Sequence, residues 1–462
     1  MTTPRTGLFT TEDGKNLAFT FILVSSLFLL WGFCNGMIDV MDKHFQDELG
    51  LSKAQSAWVQ FAHYLGYFLM SMPAGYLATK LGYKGGIIAG LLIVSLGGFW
   101  FIPATSINSM VHAGSVSKAT AFVAFLAGVC LIATGLTFLE TVANPYTTVL
   151  GDKRFAATRI NLAQSCNGVG WIFGPIVGGL YFYSKDAAGR STGSETLYIP
   201  YVGVAVVVVA LSAIFYFASV PDIKTEDDYH LDDSTQGVSH SIWSHPHFAF
   251  AVAAQFFYVA AQAGIFSFFI NYMTAEVPAI PSTWAAGGFW KEWLETRNGI
   301  LGISNQGAAN LASGAFLCFL IGRATGAALL RKYSAHKILA LYGALNVAAT
   351  LIVFLKLGWI SVACVFLSYF FMSIMFPTIF ALGIFGLGAR AKKASAFIVM
   401  AIMGGAVLPK LMGAVADKWD MSRGFIVPMF CFAFVAFYGW NWPRLANAES
   451  LAGAGAKLTA SH

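Results

Sequence analysis

Charge is what this chain has least of. Only 11% of its 462 residues are Asp, Glu, Lys or Arg, against 57% hydrophobic, a balance that no single water-soluble core of this size can hide. A soluble fold is excluded. Cysteine is equally uninformative as chemistry: Cys34, Cys130, Cys166, Cys318, Cys364 and Cys431 all fall in apolar runs, without CxxC spacing or histidine partners at metal-ligand intervals. Disulfide frameworks, metal sites and cofactor sites are therefore not expected. No HExxH or Ser–His constellation is present, which argues against an intramembrane enzyme. The formal net charge is +6, but the basic residues are scattered through short loops rather than gathered with aromatics, so nucleic acid is not an expected partner.

What the chain has in abundance is apolar length. Repeated runs reach the roughly 20 residues that cross a hydrocarbon core, which selects helices over a barrel of short alternating strands. The pattern predicts an all-α membrane protein with spans near 17–48, 53–81, 84–106, 118–150, 155–184 and 198–220, then 246–277, 300–333, 336–356, 358–389, 392–416 and 423–445. Asp222, Glu226, Asp227, Asp228, Asp232 and Asp233 crowd the longest polar stretch between these sets, which reads as a solvated linker. The expected division is a six-helix bundle over 1–221, a cytoplasmic linker over 222–245 and a second six-helix bundle over 246–462. Two pseudo-symmetric bundles joined in this way are the layout of the major facilitator superfamily. "PAGYLATKLGYKGG" (73–86) and "TGAALLRKYSAHK" (325–337) occupy matching places in the two halves.

Basic residues in the loops place both termini on the cytoplasmic side of the inner membrane: Lys80 and Lys84, Lys153, Arg154 and Arg159, Arg331, Lys332 and Lys337, and Arg390, Lys392 and Lys393 sum to the richer face. The polar N-terminal segment precedes a helix too long for a signal-peptide core, so no cleavage is expected. The tail "AESLAGAGAKLTASH" offers no signalling domain, which weighs against a non-transporting membrane sensor.

An ionisable group at lipid depth costs about 2.5 kcal/mol or more, so it persists where it faces a cavity or a partner. On the first helix Asn35, Asp39 and Asp42 share a face at helical spacing. Asp39 is read as buried, while Asp42 and His44 are expected to reach the outer surface. The fourth helix aligns Thr137, Glu140 and Asn144, with Pro145 freeing a carbonyl nearby. Asn161, Gln164, Asn167 and Trp171 line the fifth, and Gln255, Tyr258 and Gln262 the seventh. These stripes suit a hydrated central cavity for a polyhydroxylated solute. A carboxyl there, without a fixed cation, can carry a proton at neutral pH and release it when water enters. Asn161, Asn167 and Gln255 each have a second reading, as ties between helices. His63 can hydrogen-bond a solute or pack. Arg323 is read as reaching phosphates or pairing with a carbonyl, the glycines of "GVGWIFGPIVGG" (168–179) as close helix packing, and Trp284, Trp290 and Trp293 as interfacial anchors.

"WGFCNGMIDVMDKHFQ", "LSKAQSAWVQFAHYLGYFLMSMPAGYL", "LETVANPYTTVLG", "RINLAQSCNGVGW", "AQFFYVAAQ", "FPTIFALGI" and "SAFIVMAIMGGAVLP" together resemble the fucose:proton symporter family of the major facilitator superfamily, in order and over nearly the whole chain. The resemblance implies proton-coupled uptake of a monosaccharide, fucose or a related hexose. Asp39 in "NGMID" and Glu140 in "LETVANPY" would carry the coupling and part of the binding. The chain departs from the fucose branch at Ile38, where a second polar residue is usual, and at His63, where an aromatic is usual. The expectation is a monomeric sugar:proton symporter working by alternating access. Asn35, Asp39, His63, Glu140, Asn144, Gln164, Asn167, Gln255, Tyr258 and Gln262 would face the sugar. A facilitator, or an antiporter suggested by the glycine pattern, is the alternative.

Overall fold

The computed structural model describes residues 8–10, 14–112, 114–151, 156–185, 191–221, 242–281, 283, 293–297, 299–330, 333–385, 387 and 391–446. Helix α1, Ala18–Leu49, ends at Gly50, whose φ of 69° takes the left-handed conformation that closes many helices. Ser52 then opens a single turn by a reciprocal capping box with Gln55. Helix α2, Trp58–His112, is far too long for one crossing. Gly82, at φ 68° and ψ −178°, divides it into limbs over 58–81 and 83–112, because only glycine takes that backbone conformation cheaply. Helix α3, Lys118–Val149, starts where the Ser117 side chain accepts from Thr120 N. Helices α4, Ala156–Phe182, and α5, Tyr198–Phe217, complete the first half.

In the second half three of the expected helices are interrupted. The seventh span is α6, Pro246–Ser267, and α7, Phe269–Ala275. After α8, Asn305–Leu330, and α9, Ala335–Phe354, the tenth is α10, Trp359–Met372, and α11, Met375–Ile384. The eleventh is α12, Ala391–Met400, a 3₁₀ turn, and α13, Gly404–Lys418. Helix α14, Ile426–Leu445, is last. Among the described residues ten stretches are long and apolar enough to cross a membrane; the limb over 58–81 and helix α4 bring the crossings to twelve. Met72, Phe217 and Trp440, at 70%, 83% and 77% exposure, belong to the apolar surface that lipid covers.

The eighth helix was expected from residue 300, but strands β1, Leu294–Arg297, and β2, Ile300–Ile303, pair there in an antiparallel hairpin. The sequence "TRNGI" carries the signal: Asn-Gly between alternating residues is a two-residue hairpin turn, and Gly299 sits at φ +78°.

Two compact units emerge, one of residues 1–225 with 266–317, the other of 226–265 with 318–462. In the first, α1 lies along α4, and α2 against α3 and α5. In the second, α9 packs on α14 and α10, and α13 on α14; Ile242, Phe248, Leu387, Ala394 and Ile398 form a buried apolar cluster. Most of the linker, 222–241, lies outside the described residues.

One basic residue counted toward orientation has a different place. Arg159 is fully buried, its Nε donating to Thr147 O at 2.9 Å and its Nη1 to Leu8 O at 3.0 Å. The guanidinium ties the end of α3 to the N-terminal segment, so it is a structural clamp rather than a loop charge.

Candidate functional site

The first-unit acids are set by α1. Its 3.6-residue period brings Asn35, Asp39 and Asp42 to one face, and all three are buried. Gln60, on α2, donates from Nε2 to Asp39 Oδ1 at 2.9 Å. Asp39 Oδ2 has no hydrogen-bond partner among the described residues, and neither carboxylate oxygen of Asp42 has one. The expectation that Asp42 and His44 reach the outer surface is corrected: Asp42 is 0% exposed and His44 2%, with His44 Nδ1 hydrogen-bonded to Phe182 O at 2.8 Å. The helix continues to Leu49, a full turn past His44, and neighbouring elements cover that turn. Gln60 escaped the sequence reading, although it lies three residues before His63 on the same helix.

Glu140 projects from α3 into a small recess with Leu27, Phe28, Trp31, Leu139 and Ala143. Beside it a polar bridge joins α1 to α2. Trp31 Nε1 donates to Tyr67 Oη at 2.5 Å, and the same hydroxyl is in reach of the Asn35 side chain and of the Glu140 charge. Tyr67 was also missed; its position four residues after His63 was the available signal. His63 itself is buried between Tyr64 and Tyr67, ring centroids 5.1 and 5.0 Å away, and its Nδ1 has no partner among the described residues. Thr137 shares Glu140's face, but its hydroxyl donates within the helix to Ala133 O at 2.8 Å. The side chains of Asn144 and Asn161 lie outside the described residues.

On α4, Asn167 Nδ2 donates to Phe28 O at 3.2 Å, a tie to α1, while Gln164 is half-buried. The glycines explain how that tie can form. A Cβ on Gly170 would stand 2.2 Å from Leu29 O, and one on Gly174 2.7 Å from Gly36 Cα. The pattern makes two backbones touch. Trp171 packs edge-on to Phe266 at 5.6 Å and tilted on Phe316 at 4.9 Å.

In the second unit, Gln255 and Tyr258 are fully buried and Gln262 is half-buried. Both polar atoms of the Gln255 amide lack a partner among the described residues. Tyr258 Oη donates to Met372 O at 2.9 Å, and Arg323 Nε reaches Ser373 O at 3.4 Å. The break between α10 and α11 frees these carbonyls, and the two side chains take them up. Arg323 thus pairs with a carbonyl, and also lies 5.0 Å from the Phe319 ring centroid. Trp284 and Trp290 lie outside the described residues; Trp293 O accepts from Ser304 N at 2.8 Å at the hairpin. Among the described residues, no group of three or more His, Cys, Asp or Glu could hold a metal ion.

A helical membrane protein with carboxyls and amides held inside its spans is a solute carrier by architecture. Residues 20–355 match the Major Facilitator Superfamily, and the chain belongs to it, as a transporter and not an enzyme. Among curated relatives it is 33% identical to the L-fucose-proton symporter of Escherichia coli strain K12, over 92% of this chain and 93% of that protein. It is 30% identical to the glucose/galactose transporter of Brucella abortus, over 93% and 95%. A crystal structure of the E. coli fucose:proton symporter superposes with a TM-score of 0.62 at 32% identity, covering 93% of this chain and 99% of that one.

Proposed function

We propose that this protein imports a monosaccharide, fucose or a related hexose, together with a proton, by alternating access. The observation that carries the reading is the set of sugar-transporting relatives aligned along more than nine-tenths of the chain. Buried Asp39 and half-buried Glu140 supply what coupling needs: carboxyls on membrane helices beside amide and phenol groups. In this reading Glu140 is protonated from the outward-open cavity and sugar binds. Asn35, Asp39, His63, Glu140, Asn144, Gln164, Asn167, Gln255, Tyr258 and Gln262 are the proposed contacts. After reorientation the proton leaves to the cytoplasm. Asn167 and Tyr258 already serve backbone carbonyls, so their share in binding is the one that alanine variants should reduce least. The division at 222–245, cytoplasmic termini in the inner membrane and a monomeric state belong to the same proposal.

The test is a counterflow panel in proteoliposomes with fucose, galactose, glucose and amino sugars, paired with external pH recording in de-energised cells. Alkalinisation on addition of a transported sugar supports symport. Sugar exchange without alkalinisation would make the protein a facilitator. Transport of none of these sugars, with export of a cationic drug, would end the sugar reading. The antiport alternative rests on the glycine pattern, which the contact of α1 with α4 also explains as packing.

A further inference from the structure

Asp42 is a carboxyl that the mechanism above does not use, and its surroundings are unusual. It is 0% exposed, with both oxygens unpartnered among the described residues, one helical turn from Asp39, whose Oδ2 is likewise unpartnered. The charge of Asp39 acts directly on it. Gln60, bonded to Asp39, also faces Asp42. So does Ser267, at the break between α6 and α7, which is 0% exposed with an Oγ that closes no hydrogen bond of ordinary geometry. The other titratable groups nearby are phenols: Tyr183, whose Oη donates to Val40 O at 2.7 Å, and Tyr201 on α5. Among the described residues no cation is recorded against either acid. Lys43 is paired with Asp47 at 2.6 Å and His44 is held by Phe182 O.

Two buried carboxyls one helical turn apart, with oxygens unpartnered among the described residues, repel one another when both are charged, and paired carboxyls of this kind share a proton. We propose that Asp39 and Asp42 form a carboxyl dyad that binds one proton as a unit, with Gln60 and Ser267 as its donors, a proton site separate from Glu140. Binding forms one O–H bond on the pair, the hydroxyl donates to the neighbouring carboxylate oxygen, and the net charge of the pair falls from −2 to −1. The facing groups are an amide N–H and a hydroxyl, which suit a carboxyl pair. Participation of the dyad in import rests on the symport reading; its existence does not.

The experiment is infrared difference spectroscopy of the full-length protein in lipid nanodiscs, carrying Glu140→Gln so that only other acids report. The protonated-carboxyl C=O band is followed against pH. The expected result is one band for the pair, and in Asp42→Asn a midpoint for the remaining acid at least one pH unit lower, a tenfold change in proton affinity. Asp39→Asn should do the same to Asp42. Ser267→Ala keeps both acids, removes a donor to the ionised form and should raise the midpoint; it decides the matter if Asp42→Asn does not fold. An unchanged midpoint in whichever of these variants folds would overturn the dyad, as would a band that responds to sodium rather than pH. A titrating dyad in a protein that moves sugar without protons would defeat symport and leave the dyad standing.

Discussion

Trp31 Nε1 and Tyr67 Oη lie 2.5 Å apart, a hydrogen bond that pins α1 to α2 beside Glu140. Tyr67 is 9% exposed, so deleting its hydroxyl leaves the indole N–H without this acceptor in a site water reaches poorly. Tyr67→Phe should therefore cost about 1–3 kcal/mol of stability. A melting curve in detergent checks it, and an unchanged midpoint would mean that the indole finds another acceptor.

Glu140→Gln keeps the size of the side chain and removes its exchangeable charge. The variant should retain sugar counterflow and lose uphill accumulation. Accumulation at the wild-type level would take Glu140 out of the coupling role and leave Asp39 to carry it.

Close approach of α1 and α4 makes Gly170 intolerant. A methyl there would sit 2.2 Å from Leu29 O, against backbone that cannot rotate away, so Gly170→Ala should destabilise by about 1–3 kcal/mol. Gly203, on α5, has nothing within 4 Å of its Cβ position. Gly203→Ala should instead stabilise by about 0.5–1 kcal/mol through helix propensity. Thermal shift of the two proteins side by side is the measurement; equal behaviour would refute the packing argument.

Outside the spans, Asp420 caps the turn Met421–Gly424 through Arg423 N at 2.9 Å and pairs with Lys356 at 2.9 Å. Burial alone would raise its carboxyl, but the Lys356 and Arg423 interactions outweigh that and hold it below the usual carboxylate range. A depressed folded-state value means that the stabilisation is present above the ordinary carboxylate range and fades as pH falls through the depressed one. Lys356 is 42% exposed, so solvent screening limits the gain of pair and cap together to about 1 kcal/mol. Asp420→Ala should melt lower than wild type near neutral pH, and the gap should close in strong acid. A gap independent of pH would assign the effect to packing.

Much of the fold was legible because apolar length and helical period are local properties. The break at Gly82 fell between two expected helices, and α1, α3 and α4 lie within a few residues of their expected ranges. The Asn-Gly pair is a turn signal in the sequence, but the apolar run from Ile300 suited a helix equally well, so the second strand, Ile300–Ile303, was taken into the expected helix. The interruptions at Phe268 and Ser373 were not legible. At the second of these breaks, side chains such as Tyr258 and Arg323 arrive from other helices to donate to the freed carbonyls of Met372 and Ser373.

The sequence by itself determined that the chain crosses a membrane as helices and that Asp39 and Glu140 stand at lipid depth, since both follow from composition and spacing along one strand of chain. Only the tertiary structure decided that Asp42 is sealed in, that Gln60 and Tyr67 join the acids, and that Arg159 is a clamp. Burial near a helix end depends on what other segments lay over it, and Ser267 comes to Asp42 from more than two hundred residues away. No local pattern can report that, because the covering surface is a property of packing and not of the covered residue.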